Sequence, residues 1–340
     1  MTLALLPRVR PSSVALAASP DAYLRADSRR LGHFLALMKP RVMFLAVFTG
    51  LVGLLVAPGT LDLLGASLAV LAIAAGAGAA GVLNMWYDAD IDAIMSRTAG
   101  RPIPRGKVAR REALVFGLLL AGGAIAVLAL ATNALAAGLL AFTIAFYVGV
   151  YTVWLKRSTP QNIVIGGAAG ALPPLIGWAA ATGTIGLEAS ILFMIIFLWT
   201  PPHFWALSLN LADDYAEARV PMLPVVAGSE ATARQILLYS ALLVPASLLP
   251  FALGFSGAIY AAIAGVCGVM FLRHAFRLWR SHGSDARAAH RLFIFSISYL
   301  FLLFAALLAD HGVDRLSARI SPSGFWESAN CTAISIGAEN

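Results

Sequence analysis

Three polar residues, Asn84, Asp88 and Asp92, recur at intervals of four in the segment NMWYDADIDAIMSRTAGRPIPRG (Asn84–Gly106). In a helix that spacing stacks their side chains on one face and points Asp90 elsewhere. Two carboxylates so stacked repel, so a positive charge belongs between them. Oxygen ligands of this kind suit Mg²⁺, which is commonly held by one or two carboxylates together with substrate phosphates. Arg97, Arg101, Arg105 and Lys107 follow directly, and such donors match phosphate oxygens. The same residues also describe a solvated loop after a charged helix end.

A second acidic group, Asp213, Asp214 and Glu217, with Tyr215 and Arg219, lies in LNLADDYAEARVPMLPV (Leu209–Val225). Facing the first group, it would let metal ions bridge one diphosphate from both sides. Between the two, Lys156, Arg157 and Asn162 sit at a helix-to-helix connection, where Lys156 suits a leaving diphosphate. Gly166 and Gly170 form a small-xxx-small pair that permits close helix approach. Pro173–Pro174 and Pro201–Pro202 free backbone groups that must be satisfied inside the protein. His203 follows the second proline pair inside an apolar run, and eleven residues on a continuous helix would put it on the face of Asp214, about 16 Å away. A buried histidine there serves either a ligand or packing. His33, His274, His282, His290 and His311 read as solvated residues of loops and helix ends. Neither the histidines nor Cys267 and Cys331 have metal-ligand spacing, and two cysteines cannot build a disulfide framework.

The elements that position these groups must lie in a bilayer. Hydrophobic residues make up 60% of the 340, charged residues 12%, and mean hydropathy is +0.82, which excludes an ordinary soluble domain. Nine apolar runs approach the ~20 residues needed to cross: 41–57, 63–86, 113–131, 134–154, 162–181, 189–211, 236–253, 257–272 and 292–309. The predicted architecture is an all-α polytopic membrane protein with nine transmembrane helices, two four-helix halves plus a ninth helix around a central cavity. Acidic clusters after the second and sixth spans, four spans apart, suggest the repeat.

The net charge of +7 raises nucleic acid as a partner, but the positions of the cations argue for a lipid bilayer instead. Of 24 Lys and Arg, 22 fall before or at the start of the first span or in 87–112, 155–161, 212–235 and 273–291. The alternate connections have none. The positive-inside rule then puts the N-terminus and both acidic clusters in the cytoplasm and the C-terminal tail outside. The expected organisation is a cytoplasmic arm over 1–38, a membrane domain over 39–310 and a polar tail over 311–340. Arg8, Arg10, Arg25, Arg29 and Arg30 give the arm some transit-peptide character, which Asp21 and Asp27 weaken. That favours a bacterial plasma membrane over a mitochondrial one.

The Asn84, Asp88, Asp92 motif resembles that of the UbiA-type intramembrane prenyltransferases. More specifically, LMKPRV (Leu37–Val42), DADIDAIMSRTAGRPIPRG, LKRSTPQNIVIGGAAGALPPLIGW, PPHFWALSL, DDYAEARVPMLPV and RLFIFSISYLFLLFAALLAD (Arg291–Asp310) are similar to the branch that farnesylates protoheme IX. The resemblance covers about residues 37–310. It departs at Arg219, where many relatives carry Gly, and in a less complete second acidic motif, which leaves Glu217 without an assigned role. What it implies is transfer of farnesyl from farnesyl diphosphate to the 2-vinyl group of heme B, giving heme O. It further implies Mg²⁺ on Asp88, Asp92 and Asp214, with Lys156 beside them in catalysis. Asn84, Arg41, Arg97, Arg101, Lys107, Arg157, Asn162, His203, Asp213 and Tyr215 would contact the two substrates. Association with a heme A synthase or terminal-oxidase assembly follows as a partner expectation. The competing readings are a UbiA-type enzyme acting on an aromatic acid, a transporter, and a non-catalytic heme-handling factor; carriers place their sites near the midplane, whereas these acids gather at the inner helix ends.

Overall fold

The computed structural model describes residues 30–320, with side chains as far as Val313. Among the described residues every regular element is helical. A short α1 (Arg30–Leu37) meets α2 (Pro40–Val56) at a 52° bend. The bend is built by Lys39, at φ 54° in the left-handed region, with Pro40 starting the next helix. Then come α3 (Leu63–Tyr87), α4 (Ala89–Ile94), α5 (Arg110–Ala131) and α6 (Ala134–Ala145). α6 continues as a π-helix over Phe146–Leu155 and closes with α7 (Lys156–Ser158). The chain goes on through α8 (Asn162–Ala171), α9 (Pro173–Thr182), α10 (Leu187–Leu209), α11 (Ala212–Glu217), α12 (Leu223–Ala252), α13 (Ala258–Arg280) and α14 (Ala286–Ile320).

Eight of these stretches are long and apolar enough to cross a membrane, and the bent pair at the N-terminal side makes a ninth. Successive spans are neighbours throughout, and the ninth, α14, packs against α13, α10 and α2. It therefore closes the ring between the first four-helix half and the second. Pro173 and Pro174 divide the fifth span into α8 and α9, since proline supplies no N–H to continue the ladder.

Several helices outrun the apolar stretches that announced them. α12 begins at Leu223 instead of 236, with a break at Gly228 (φ 81°), and α13 runs to Arg280 instead of 272. Only Ser281–Asp285 separates α13 from α14. Hydropathy sees only the part of a helix in hydrocarbon, whereas Arg273, Arg277, Arg287 and Arg291 extend the same helices into water. His274 is accordingly not a loop residue. It lies half-buried on α13 with its ring 5.1 Å from Phe295.

The tightest crossing is between α2 and α9. A Cβ on Gly53 would run into the backbone of Pro174, and one on Gly177 into the Gly50 carbonyl. These glycines let two backbones touch and carry the first span against the middle of the bundle. The expected Gly166–Gly170 pair behaves differently: Gly166 makes room for the Tyr151 ring, whereas open space surrounds Gly170. Gly177→Ala should therefore cost about 1–3 kcal/mol through overpacking. In detergent that appears as a lowered thermal midpoint, with Gly170→Ala unchanged as the contrast.

Candidate active site

The first acidic group forms where α3 gives way to α4. Asp88 N bonds to Asn84 O at 2.9 Å and Asp92 N to Asp88 O at 2.8 Å, so the i, i+4 ladder crosses the junction and the expected face survives it. Asn84, Asp88 and Asp92 are 4%, 0% and 2% exposed. Carboxylates so deeply buried require compensation, and each has it. Lys156 Nζ donates to Asp88 Oδ2, and Arg101 Nη1 donates to Asp92 Oδ2 at 2.6 Å. The Asn84 amide is fully used: Nδ2 donates to Asp88 Oδ2 at 2.7 Å and to Thr152 Oγ1 at 3.1 Å, while Oδ1 accepts from Lys39 Nζ at 2.8 Å. Asp88 Oδ1 is buried without a hydrogen-bond partner, as is Asn162 Oδ1, with Arg157 Nη2 3.6 Å from the former.

Lys39 and Thr152 were not anticipated as site residues. The signals were a lysine directly before the first span's proline and a threonine inside an apolar run. Thr152 is aimed by the π-helix, where its hydroxyl donates to Tyr147 O five residues back, at 2.9 Å. Local π geometry is a frequent mark of functional positions.

Asp90 points away, as its spacing required. Arg157 grips it with two bonds of 2.9 and 2.8 Å and lies over the Tyr87 ring. The guanidinium holds the Asp90 carboxyl down to about 2 from its ordinary 3.8. Because the folded pKa is depressed, this ion pair contributes fully above pH 3.8 and is lost as pH falls through about 2.

Ser96 joins the two acidic groups, donating to Asp214 Oδ2 at 2.7 Å. Next to it Tyr215 is buried, which pushes its hydroxyl pKa up, against the opposing charge and hydrogen bond of Arg97. The segment between α4 and α5 thus ties one half of the repeat to the other. Asp213, Glu217, Arg41, Arg105 and Lys107 remain exposed, and Asn162 is buried with Nδ2 donating to Thr159 O at 2.8 Å. Among the described residues no three acidic, His or Cys side chains converge as a ready metal cage. Asp88, Asp92 and Asp214 are instead each bonded to a side chain of the protein: Lys156, Arg101 and Ser96.

His203 occupies a separate place. Its ring is sandwiched between Trp199, at 4.2 Å and 16°, and Phe293, at 4.8 Å and 25°. Its Nδ1 lies 2.7 Å from Ser296 Oγ. The expected continuous helix to Asp214 does not exist: α10 ends at Leu209, and Asn210 and Leu211 form a tight turn before α11. Polar Asn210 ends the helix by donating from Nδ2 to Ala286 O on α14 at 3.3 Å.

Residues 46–297 match the model of the UbiA prenyltransferase family. The chain belongs to that family. It is 54% identical over 310 residues to the protoheme IX farnesyltransferase of Brucella anthropi, covering 91% of this chain and 99% of that one. It is 61% identical over 279 residues to the protoheme IX farnesyltransferase of Azorhizobium caulinodans, covering 82% and 91%. Among solved structures, a UbiA homologue from Archaeoglobus fulgidus bound to DMAPP and Mg²⁺ superimposes with a TM-score of 0.60 at 17% identity, over 81% of this chain and 98% of that one. At that identity the likeness concerns the fold alone; the chain's own eight or nine apolar spans among the described residues make it a multi-pass membrane protein.

The ion pair at Asp88 yields a direct test. Lys156→Met leaves a buried carboxylate short of its partner and should destabilise the protein by about 3–5 kcal/mol. Adding Asp88→Asn removes the charge and should recover most of that loss, read as the thermal midpoints of the single and double variants.

Proposed function

We propose that the protein transfers the farnesyl group of farnesyl diphosphate to the 2-vinyl group of heme B, forming heme O. The observation that carries this reading is the buried Asn84–Asp88–Asp92 face with its ring of cations, in a chain 54–61% identical to protoheme IX farnesyltransferases over most of its length. The A. fulgidus homologue binds Mg²⁺ with a prenyl diphosphate, and the donor set here suits the same ion. Asp88 Oδ1 is an unused buried carboxylate oxygen, and Asp92 and Asp214 supply further hard oxygens. Bound there, Mg²⁺ adds positive charge that favours departure of the diphosphate.

The remaining steps belong to the chain's own groups. Lys156, Arg101 and Lys39, now engaged with Asp88, Asp92 and Asn84, become donors to diphosphate oxygens. Arg97, Arg157, Asn84, Tyr215, Arg41, Lys107, Asn162 and Asp213 are the further residues assigned to substrate contact in this reading. The apolar walls of the bundle keep water from the allylic cation. The terminal vinyl carbon of heme forms the new bond to farnesyl C1 as the C1–O bond to diphosphate breaks. Water then adds at the carbon next to the porphyrin and releases a proton. His203, held by Ser296 between two aromatic rings, orients the heme.

The distribution of Lys and Arg supports a bacterial plasma membrane location with a cytoplasmic N-terminus and a periplasmic C-terminus. The prenyltransferase unit is 39–310, with α1 packed onto it, between an N-terminal arm and a polar tail; most of both lies outside the described residues. A heme A synthase or terminal-oxidase assembly is the destination proposed for the product.

Membranes supplied with heme B, farnesyl diphosphate and Mg²⁺ should yield hydroxyethylfarnesyl heme by mass spectrometry. Asp88→Ala should lower the rate by at least 100-fold, and chelation of Mg²⁺ should abolish it. Product on an aromatic acid, with none on heme, would assign the site to another branch of the family. His203→Ala should raise KM for heme while leaving metal-dependent binding of farnesyl diphosphate intact; equal loss of both would remove His203 from the heme site.

A further inference from the structure

A cleft of about 600 Å³ lies apart from the carboxylates. It lies where α10 ends and α14 begins, lined by Leu209, Asn210, Ala286, Arg287, His290 and Arg291. Its volume is in the range that holds a cofactor-sized ligand. Arg287, His290 and Arg291 are exposed, and among the described residues neither arginine is engaged by a carboxylate. The one acid beside them, Asp285, turns its Oδ1 to the backbone N–H groups of Arg287 and Ala288 at 2.9 and 3.0 Å. The α14 N-terminus is therefore already capped, and what the cleft offers is two free guanidinium groups and an imidazole.

From this rim a line of rings leads into the bundle. His290 lies 6.5 Å from Phe293, Phe293 is stacked 4.8 Å from His203, and His203 is stacked 4.2 Å from Trp199. Residues 287, 290 and 293 follow one another at three-residue steps on α14, and Ser296 continues the series to the His203 hydrogen bond. At 1.5 Å per residue, Ser296 stands on the order of 8 Å from Arg291 and 14 Å from Arg287 along the helix axis. A cationic rim, then aromatic side chains, then a held imidazole is the order of groups that a planar macrocycle with two acids on one edge would meet.

We propose that this cleft is the acceptor's docking subsite, with Arg287 and Arg291 pairing with the two propionate carboxylates of the porphyrin while its ring lies along the Phe293–His203 ladder. The assignment rests on the reading of heme as the acceptor, and it adds the side chains that select a dicarboxylate macrocycle. His290 donates at the same edge. The arrangement separates the two substrates by charge: the acceptor's acids go to α14, and the diphosphate goes to the cations around Asp88.

The test uses full-length protein in phosphatidylcholine nanodiscs, with heme B and its dimethyl ester as paired probes. Binding is followed by the heme absorption spectrum and turnover by mass spectrometry. The wild type should bind heme B at least tenfold more tightly than the diester. Arg287→Gln/Arg291→Gln should weaken heme B binding by about 10- to 100-fold, as expected for losing hydrogen bonds between charged partners. It should bind both probes equally while keeping the wild-type KM for farnesyl diphosphate, which also reports that the variant is folded. Arg287→Lys/Arg291→Lys should fall between the two. Discrimination that persists in the Gln variant overturns the proposal. So does a raised farnesyl diphosphate KM with unchanged heme binding, which would give the arginines to the diphosphate. An effect present only when phosphatidylglycerol is added to the disc would make them lipid anchors, and also overturns it. Failure of the wild type to bind or modify any heme would instead defeat the acceptor assignment itself.

Discussion

Charge in a low-dielectric surrounding is the constraint on which this structure turns. A carboxylate as deeply buried as Asp88 or Asp92 is tolerable only if opposite charge and hydrogen bonds reach it, and separate elements converge on the Asn84–Asp88–Asp92 face to supply them, directly or through the Asn84 amide. Lys39 comes from the bend between α1 and α2, Thr152 and Lys156 from the π-helix and its exit, and Arg101 from the segment before α5. The demand explains local features that look unfavourable in isolation. Lys39 adopts a left-handed backbone, which costs a non-glycine residue about 1 kcal/mol or more, and it thereby turns its ammonium onto Asn84. The π-helix gives up ideal α geometry and so rotates Thr152 toward the same amide.

The rest of the bundle can be understood as the frame that brings those elements to one end. α2 reaches the middle of the ring only because Gly50, Gly53 and Gly177 remove side chains from its crossing with α9. α14 closes the ring between the halves and adds Ser296 and Phe293 to the histidine on α10. At its far end Asp310 of α14 accepts from the Gly257 and Tyr260 N–H groups at 2.7 and 2.9 Å, capping α13 from another helix. Position in the membrane and position in the site are thus set by the same few contacts: small residues where backbones cross, polar ones where helices end.

Much of this was legible in the sequence. The nine spans follow from hydropathy, and the Asn84–Asp88–Asp92 face follows from a spacing of four because the hydrogen-bond ladder runs through the α3–α4 junction. Lys156 was legible as a cation at a helix connection. Helix ends beyond the hydrocarbon were not, since arginines on α13 and α14 carry no hydropathy signal for helix. Nor was the break after Leu209: eleven residues from His203 to Asp214 fit a continuous helix, and Asn210 bonding to a distant helix decides otherwise. The π-helix leaves no mark in a run of apolar residues. Arg219 is instructive in the other direction. The family resemblance leads one to expect glycine there, and the φ of 54° at Arg219 lies in the region glycine favours.

The pairing of carboxylates with the protein's own cations bears on how substrate is admitted. With Lys156 on Asp88, Arg101 on Asp92 and Ser96 on Asp214, the acids are compensated before anything binds. A bare divalent cation would have to displace ammonium and guanidinium groups into an apolar surround, and a bare diphosphate would have to draw them away from buried carboxylates. Each exchange alone leaves one sign of charge uncompensated at the inner end of the bundle. Diphosphate and metal arriving together would resolve both: Lys156 and Arg101 would turn to phosphate oxygens while Asp88, Asp92 and Asp214 would hold the metal, and the local charge would stay nearly balanced. On the proposed function, a preference for joint over separate binding would follow from the burial of Asp88, because an exposed carboxylate would be solvated by water and would impose no such order.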